Sequence, residues 1–569
     1  MNGAAALGAS RAARNGALAW LTRNPVLVCL GAAVAASGAL LIVLGSHLTV
    51  YADEWNIVLL RQGVTAGPFL DPYNGHLIVG VIVVYKVLLA TFGMASPLPF
   101  HVVSTIVYVL AAVLLFGYMR SRVGEWLALF GSGVILFLGA ANEDLLFPFQ
   151  IFFSGAIAAG LGALLALDRD DRRWDLAACA LLVVSTSFSE VGIAFSLGAL
   201  VRVALAERPW RGRVYIALVP LGLYGLWWLG WGHTAASDIT LHNAAGTPSY
   251  VVDAAAAGVA ALLGLASASD QPGGAVGQQW MPVALAAALV LALWRVLRIG
   301  RIPRGVWPAL VIGVTFWALA GLSYIPGRGA ATNRYLYPSA VFCLLIAAEL
   351  LRGVRPGARA IVATAAVAAL AIAANLAFLS DGYKLFWKPQ SQLIRADLAA
   401  LEIGGPVNPS FVLTREVSPA PYFDIAAGSY LSAAQTWGSP AYTQSELPAA
   451  PESSRVEADK VLGAILGLRL TRVGAVHRAC QSRRAALAAG TEVSLDPGRV
   501  SVHAGATGAQ VAMGRFADGL SVVAGTVPPR STRTLSIPHD GSARPWRLGI
   551  RGPGRITLCG SALTGGGSA

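Results

Sequence analysis

The chain has 569 residues, of which 56% are apolar and only 12% charged, and its mean hydropathy is +0.62. Such a composition excludes an ordinary soluble globular protein and defines an integral membrane protein. The net charge of +13 does not mark a nucleic-acid binder, because the basic residues fall in short clusters between apolar runs, the positive-inside pattern. The lysines are Lys86, Lys384, Lys388 and Lys460, and none follows a glycine as a Walker A motif requires, which argues against an ATP-driven pump in this chain alone.

In chain order, residues 1–25 carry Arg11, Arg14 and Arg23 and give way to an apolar run over 26–50. A signal h-region spans about 7–15 residues, so this longer run matches a retained spanning helix with a cytoplasmic amino terminus. Further apolar segments follow at 77–93, 98–119, 125–141, 148–168, 174–188, 191–206, 214–232, 250–266, 280–298, 305–325, 334–351 and 358–379. Basic stretches separate them at 119–122, 168–173, 207–213, 295–304 and 352–359. Keeping all of these inside sets a parity constraint. The segment 77–93, with Lys86, then lies at the outer surface, 250–266 is re-entrant or interfacial, and 174–206 makes two short spans turning outside at Ser189-Glu190. The expected fold is an α-helical polytopic membrane domain over 26–380, with about eleven transmembrane helices plus interfacial ones.

From residue 381 onward Gly, Pro and Ser become frequent, and short β-like runs appear, such as Val500-Ser501-Val502 and 546–550. Helical pieces are expected at 393–401 and 456–468. The stretch 381–569 is long enough for its own core and is expected to be an extracytoplasmic soluble domain, mixed and β-rich. Cys29, Cys179 and Cys343 lie in apolar runs and read as small core hydrophobes. Cys480 and Cys559 stand in the polar tail and pair as a disulfide if that tail is outside the cytoplasm. No CxxC or HExxH spacing occurs.

The candidate chemistry begins at Tyr51-Ala52-Asp53-Glu54-Trp55-Asn56, where two adjacent carboxylates leave the first apolar run. Two anions there cannot both be deeply buried without penalty, so they sit at an interface or in a wet cavity. An acid near a helix end is often merely solvated, but Trp55, Tyr73, Asn74 and His76 follow in a stretch rich in ligand-contacting groups. A second acidic turn is Asn142-Glu143-Asp144, and a third is Glu190. Arg328, Arg334 and Tyr335 stand between two late spans on the expected outer side, against the topological rule. Guanidinium groups bind phosphate bidentately, which suits a lipid phosphate, although snorkelling to headgroups is the plainer role. Asp238, His233 and His242 in the 232–249 stretch are weaker substrate contacts, since a loop histidine is usually a surface residue.

This arrangement resembles the GT-C glycosyltransferases, among them the protein O-mannosyltransferases, the lipid A aminoarabinose transferase and the mycobacterial arabinofuranosyltransferases. It covers about residues 20–380: one amino-terminal span, the Asp53-Glu54 pair at its outer end, an interfacial helix bearing Lys86, a span ending in basic residues, an acidic second outer loop, and the late Arg334-Tyr335. The resemblance implies transfer of a sugar from a polyprenyl-phosphate donor to a hydroxyl of a cell-envelope glycan, lipid or protein on the outer face. Asp53 matches the family's acidic base or acceptor-positioning residue, with Glu54 beside it, and Lys86 matches the basic residue that helps hold the lipid phosphate. Many relatives have Lys-Pro-Pro before the interfacial helix; this chain has Asn74-Gly75-His76-Leu77, where His76 is a partial substitute. Some members bind a divalent cation such as Mg or Mn, and Asp53, Glu143 and Asp144 offer oxygen ligands for one. Richness in Gly, Ala and Arg with few Lys fits a high-GC actinobacterial source. The alternatives are a polytopic secondary transporter, which typically shows inverted repeats and a small soluble part, and a polymer-export or scaffold subunit.

Overall fold

The computed structural model describes residues 23–169, 171–268, 277–420, 423–472 and 484–563. Long runs of Ala, Leu, Val and Gly give the backbone no polar partner but itself, and between residues 25 and 382 they fold as helices. Among the described residues, six helical stretches are long and apolar enough to cross a membrane: Pro25–Gly45, Leu98–Val123, Glu125–Leu146, Pro148–Leu167, Gln278–Ile299 and the apolar part of Ala358–Gly404. Shorter apolar helices are Val79–Phe92, Val191–Ala204, Tyr215–Gly230 and Val306–Leu322. The chain is thus a mostly helical protein with membrane-type helices and a strand-rich carboxyl-terminal region.

By its internal contacts the chain divides into two units. The first comprises Met1–Ser46, Gly63–Val87 and Leu98–Trp387. Its centre is the stretch Pro148–Leu167, nearly all of it buried, while Met281–Ile299 leaves Leu289, Val290, Leu291 and Leu293 more than half exposed, as a lipid-facing helix does. Small residues let the helices approach closely. A Cβ on Gly160 would stand 2.3 Å from the Phe195 ring, and one on Gly192 would stand 2.3 Å from the Thr186 amide. The second contact folds Val191–Ala204 tightly back on Arg172–Phe188, so the chain breaks at Ser189-Glu190. The helix expected over 250–266 instead runs Leu241–Leu262. It begins earlier because Thr240 caps it, its hydroxyl accepting the Asn243 amide at 3.1 Å, in a stretch too polar for hydropathy to register.

Two arginines expected in solvated basic loops are buried. Arg122 ends the helix Leu98–Val123 with a fully buried side chain. It pairs with Glu349 and donates to Asp168 at 3.1 and 3.2 Å, while the Tyr118 hydroxyl donates to Glu349 at 2.7 Å. Arg213 donates to both Asp175 carboxylate oxygens, at 2.6 and 2.9 Å. Helix ends that bring opposite charges together hold them as pairs rather than as a solvated fringe.

The second unit comprises His47–Gln62, Leu88–Pro97 and Lys388–Ala569. Among the described residues it holds the helices Lys388–Gly404, Ala427–Trp437 and Glu452–Ile465, a two-stranded sheet of Val412–Leu413 with Ile425–Ala426, and two larger antiparallel sheets. In the five-stranded sheet the order is Thr471–Arg472, Thr532–Ile537, Gly498–Ala504, Ile556–Gly560, Arg484–Leu487. In the four-stranded sheet it is Glu492–Leu495, Trp546–Arg551, Ala509–Gly514, Val522–Val527. Alternation supplies the core: Val500, Val502, Leu535 and Ile537 are buried in one sheet, Val511, Met513, Trp546 and Leu548 in the other. Asp459 ties the helix Glu452–Ile465 to the sheet by accepting the amides of Arg515, Phe516 and Ala517 at 2.8–3.1 Å, and the Ser521 hydroxyl at 3.1 Å. Arg515 in turn meets Asp540 at 2.8 Å and lies over the Trp546 ring. Cys559 is disulfide-bonded and Cys29, Cys179 and Cys343 are free; Cys480, its expected partner, lies outside the described residues.

Candidate functional site

In the first unit the polar groups gather around a tight turn. Tyr73 and His76 exchange backbone hydrogen bonds of 3.1 and 2.9 Å across Asn74 and Gly75, both with positive φ. Asn-Gly is the pair best suited to such a two-residue turn, and it holds His76 at a fixed angle. His76 Nδ1 lies 3.1 Å from Glu190 Oε2, and its ring packs edge-on against Phe152. Glu190 sits at the break between two helices, with the Ser189 hydroxyl donating to it at 3.3 Å. Burial pulls the His76 imidazolium down, but the adjacent Glu190 carboxylate outweighs it and holds His76 above its ordinary value. Burial likewise opposes ionisation of Glu190, yet His76 keeps that carboxyl below its usual range.

Beside this pair lies a second one. Glu143, on the short helix Asn142–Leu146, accepts from Gln150 at 2.7 Å and meets Arg334 at 3.0 Å, and its amide donates to Asn333 Oδ1 at 3.0 Å. Asn333 and Arg334 open the helix Asn333–Leu350, so one helix start fixes both ends of the Glu143 turn. Arg328 and Arg334 both act on the charge of His76, and Tyr335 is within electrostatic reach of Arg334, Arg328, Glu190 and Glu143. Six of the sequence candidates therefore share one electrostatic neighbourhood. Among the described residues the half-buried Arg328 guanidinium makes no hydrogen bond or ion pair.

The remaining candidates are placed differently. Asp144 is buried near the hydroxyls of Tyr108 and Tyr337. Lys86 donates to the Gly63 carbonyl at 2.5 Å and lies over the Phe69 ring, which ties it to the loop before its own helix. Asp53 and Glu54 belong to the second unit. Glu54 is buried, and its carboxylate accepts the Tyr51 amide at 2.7 Å, closing the turn that presents the partly exposed Asp53. Ala52 in that turn has φ +40°, a conformation L residues adopt only at a cost. Trp55 is fully buried edge-on to Tyr430.

Sequence reasoning did not single out Asn333 or Gln150 as partners of Glu143, nor the aromatic wall of Phe149, Phe152, Phe153 and Phe316 around the turn. The Asn-Gly dipeptide was the signal for the His76 turn. Phe149-Gln150-Ile151-Phe152-Phe153 directly after the acidic turn was the signal for the wall. As for a divalent cation, Glu143 is engaged by Arg334 and Gln150, and among the described residues no three His, Cys, Asp or Glu side chains converge to hold one. No family model, no curated protein and no solved structure matches this chain.

Proposed function

We propose that the protein is a membrane glycosyltransferase of the GT-C type, which moves a sugar from a polyprenyl-phosphate donor to a hydroxyl of an envelope glycan, lipid or protein. In this reading about eleven spans cross the membrane, the amino terminus is cytoplasmic, and residues 381–569 and the polar cluster face outward. The observation that carries it is Arg328: a half-buried guanidinium without an anionic partner among the described residues, beside Arg334, His76 and Tyr335. Burying an arginine is costly unless an anion meets it, and a phosphate is the anion its fork fits best.

In the reaction, the acceptor hydroxyl gives its proton to a base as its oxygen attacks the anomeric carbon. The carbon–oxygen bond to phosphate breaks, and the phosphate leaves with the electron pair, its charge stabilised by Arg328. Two groups are candidates for the base. Asp53 is the one the resemblance implies, and the Glu190-supported His76 is the one the first unit supplies. The full-length protein, purified and supplied with a panel of polyprenyl-phosphate sugars without nucleotide, with and without added divalent metal, tests the reading. Transfer that is lost in Asp53→Asn or in His76→Asn, assayed below the temperature at which the variant begins to unfold, supports the enzyme and identifies the base. Absence of transfer with every donor, together with solute uptake by proteoliposomes, would establish the transporter instead.

A further inference from the structure

A polar cavity lies in the first unit, at the arginine-rich helix ends, and the transfer reaction has no use for it. It has a volume of about 480 Å³ and is lined by five arginines and three carboxylates. Two of the carboxylates are already committed. Glu349 is held by Arg122, and Asp168 is held by Arg122 and Arg202. The third, Glu207, is exposed to solvent. Of the arginines, Arg202, Arg208 and Arg213 have carboxylate partners of their own. Arg304 makes no ion pair or hydrogen bond among the described residues, and Arg352 reaches only the far oxygen of Glu349, at 3.4 Å with half its side chain exposed. The cavity thus keeps positive charge that its own acids do not neutralise.

Three helix ends and the loop after Ala204 form its walls. Asp168 ends the buried helix Ile151–Leu167, Arg202 lies in the last turn of Val191–Ala204, and Gly305 caps Val306–Leu322. A Cβ on Gly305 would stand 2.1 Å from Glu349 Oε2, so the bare backbone lets that carboxylate pack against the helix start and fixes the cavity floor. Basic pockets between membrane helices recognise phosphoryl groups by charge and by the guanidinium fork.

We propose that this cavity binds a phosphoryl-bearing anion, with Arg304 and Arg352 as the contacting groups. The same chemistry is offered by the headgroup of an anionic phospholipid and by free phosphate, and the two sources are separable. The proposal does not depend on the transferase reading, and its readout is binding rather than activity. The full-length protein is reconstituted in nanodiscs of phosphatidylcholine with phosphatidylglycerol, released into the mass spectrometer, and scored for retained anionic lipid. In parallel, it is titrated with inorganic phosphate in maltoside detergent while its unfolding temperature is followed. Retained phosphatidylglycerol that falls about tenfold or more in Arg304→Ala/Arg352→Ala supports a lipid headgroup. A phosphate-dependent rise in unfolding temperature that the double variant loses supports free phosphate. Neither side chain holds a buried partner alone, so the ligand-free variant is expected to unfold with the wild type; should it not, Arg304→Gln alone carries the comparison. If lipid retention and phosphate stabilisation are both the same in wild type and variant, the proposal is overturned.

Discussion

Arg328 and Arg334 stand six residues apart in one loop and helix start, yet the structure predicts opposite consequences for their removal. Arg334 meets Glu143 at 3.0 Å, and the Glu143 side chain is only 9% exposed. Truncating Arg334 leaves that carboxylate without its cation, and breaking a buried pair from one side costs about 3–5 kcal/mol; partial exposure of Arg334 argues for the lower end. Arg328 has no such partner among the described residues, so Arg328→Ala is expected within about 0.5 kcal/mol of wild type. Its effect falls on the donor instead. Loss of one charge-assisted contact to phosphate is worth about 1.5–3 kcal/mol, or roughly ten- to a hundredfold in donor affinity. Arg328→Lys keeps the charge but not the fork and should recover only part of it. Thermal unfolding in detergent and the KM for the polyprenyl-phosphate sugar, measured on the same preparations, give both readouts. If Arg328→Ala unfolds as early as Arg334→Ala, or transfers sugar with an unchanged KM, the assignment of Arg328 to phosphate is refuted.

The His76–Glu190 pair predicts a pH window. His76 is held above its ordinary value, so its contribution is complete below about pH 6.5 and lost as pH rises through the raised value. Glu190 is held below its ordinary value, so its contribution is present above about pH 4.5 and lost as pH falls through the lowered value. The stability difference between wild type and His76→Asn, followed by thermal unfolding across pH, should be largest between those limits, and a flat difference would count against the pair. Arg122→Ala leaves Glu349 buried without its main cation and should destabilise the membrane unit by about 3 kcal/mol or more, whereas Arg120→Ala, at the exposed end of the same helix, should cost well under 1 kcal/mol; equal unfolding temperatures would contradict the burial. Asp459→Ala strips the acceptor from three amides and should destabilise the sheet unit by about 3 kcal/mol, with Asp459→Asn in between, as read from the sheet unit's own unfolding transition.

Apolar periodicity and the scarcity of charge made the helical membrane character legible, and alternation around Val500 to Val502 and Trp546 to Ile550 made the strand-rich tail legible. The candidate residues were legible only as residue types, because arginine and acid at the ends of apolar helices are costly unless they are paired. What the sequence does not carry is pairing. Nothing near Arg122 in the chain indicates that Glu349 will meet it, so a residue read as a loop charge is an interior one. Nor does local sequence reveal that Glu54 closes its own turn on the Tyr51 amide, since a carboxylate that caps and one that catalyses look alike until the backbone bends. Hydropathy also places helix starts late where a cap does the work, as at Thr240.

The second unit is assembled from pieces made at opposite ends of synthesis. Trp55 rests on Tyr430, and the Met94 amide donates to the Trp437 carbonyl at 2.7 Å. A ribosome delivers the early pieces first, and they wait without their packing partners while nearly all the intervening helices are inserted. Trp55, next to the turn that carries Asp53, therefore meets Tyr430 only when the last part of the chain arrives, so a polypeptide cut short after the helical region would keep its helices and the locally closed turn but lack that packing.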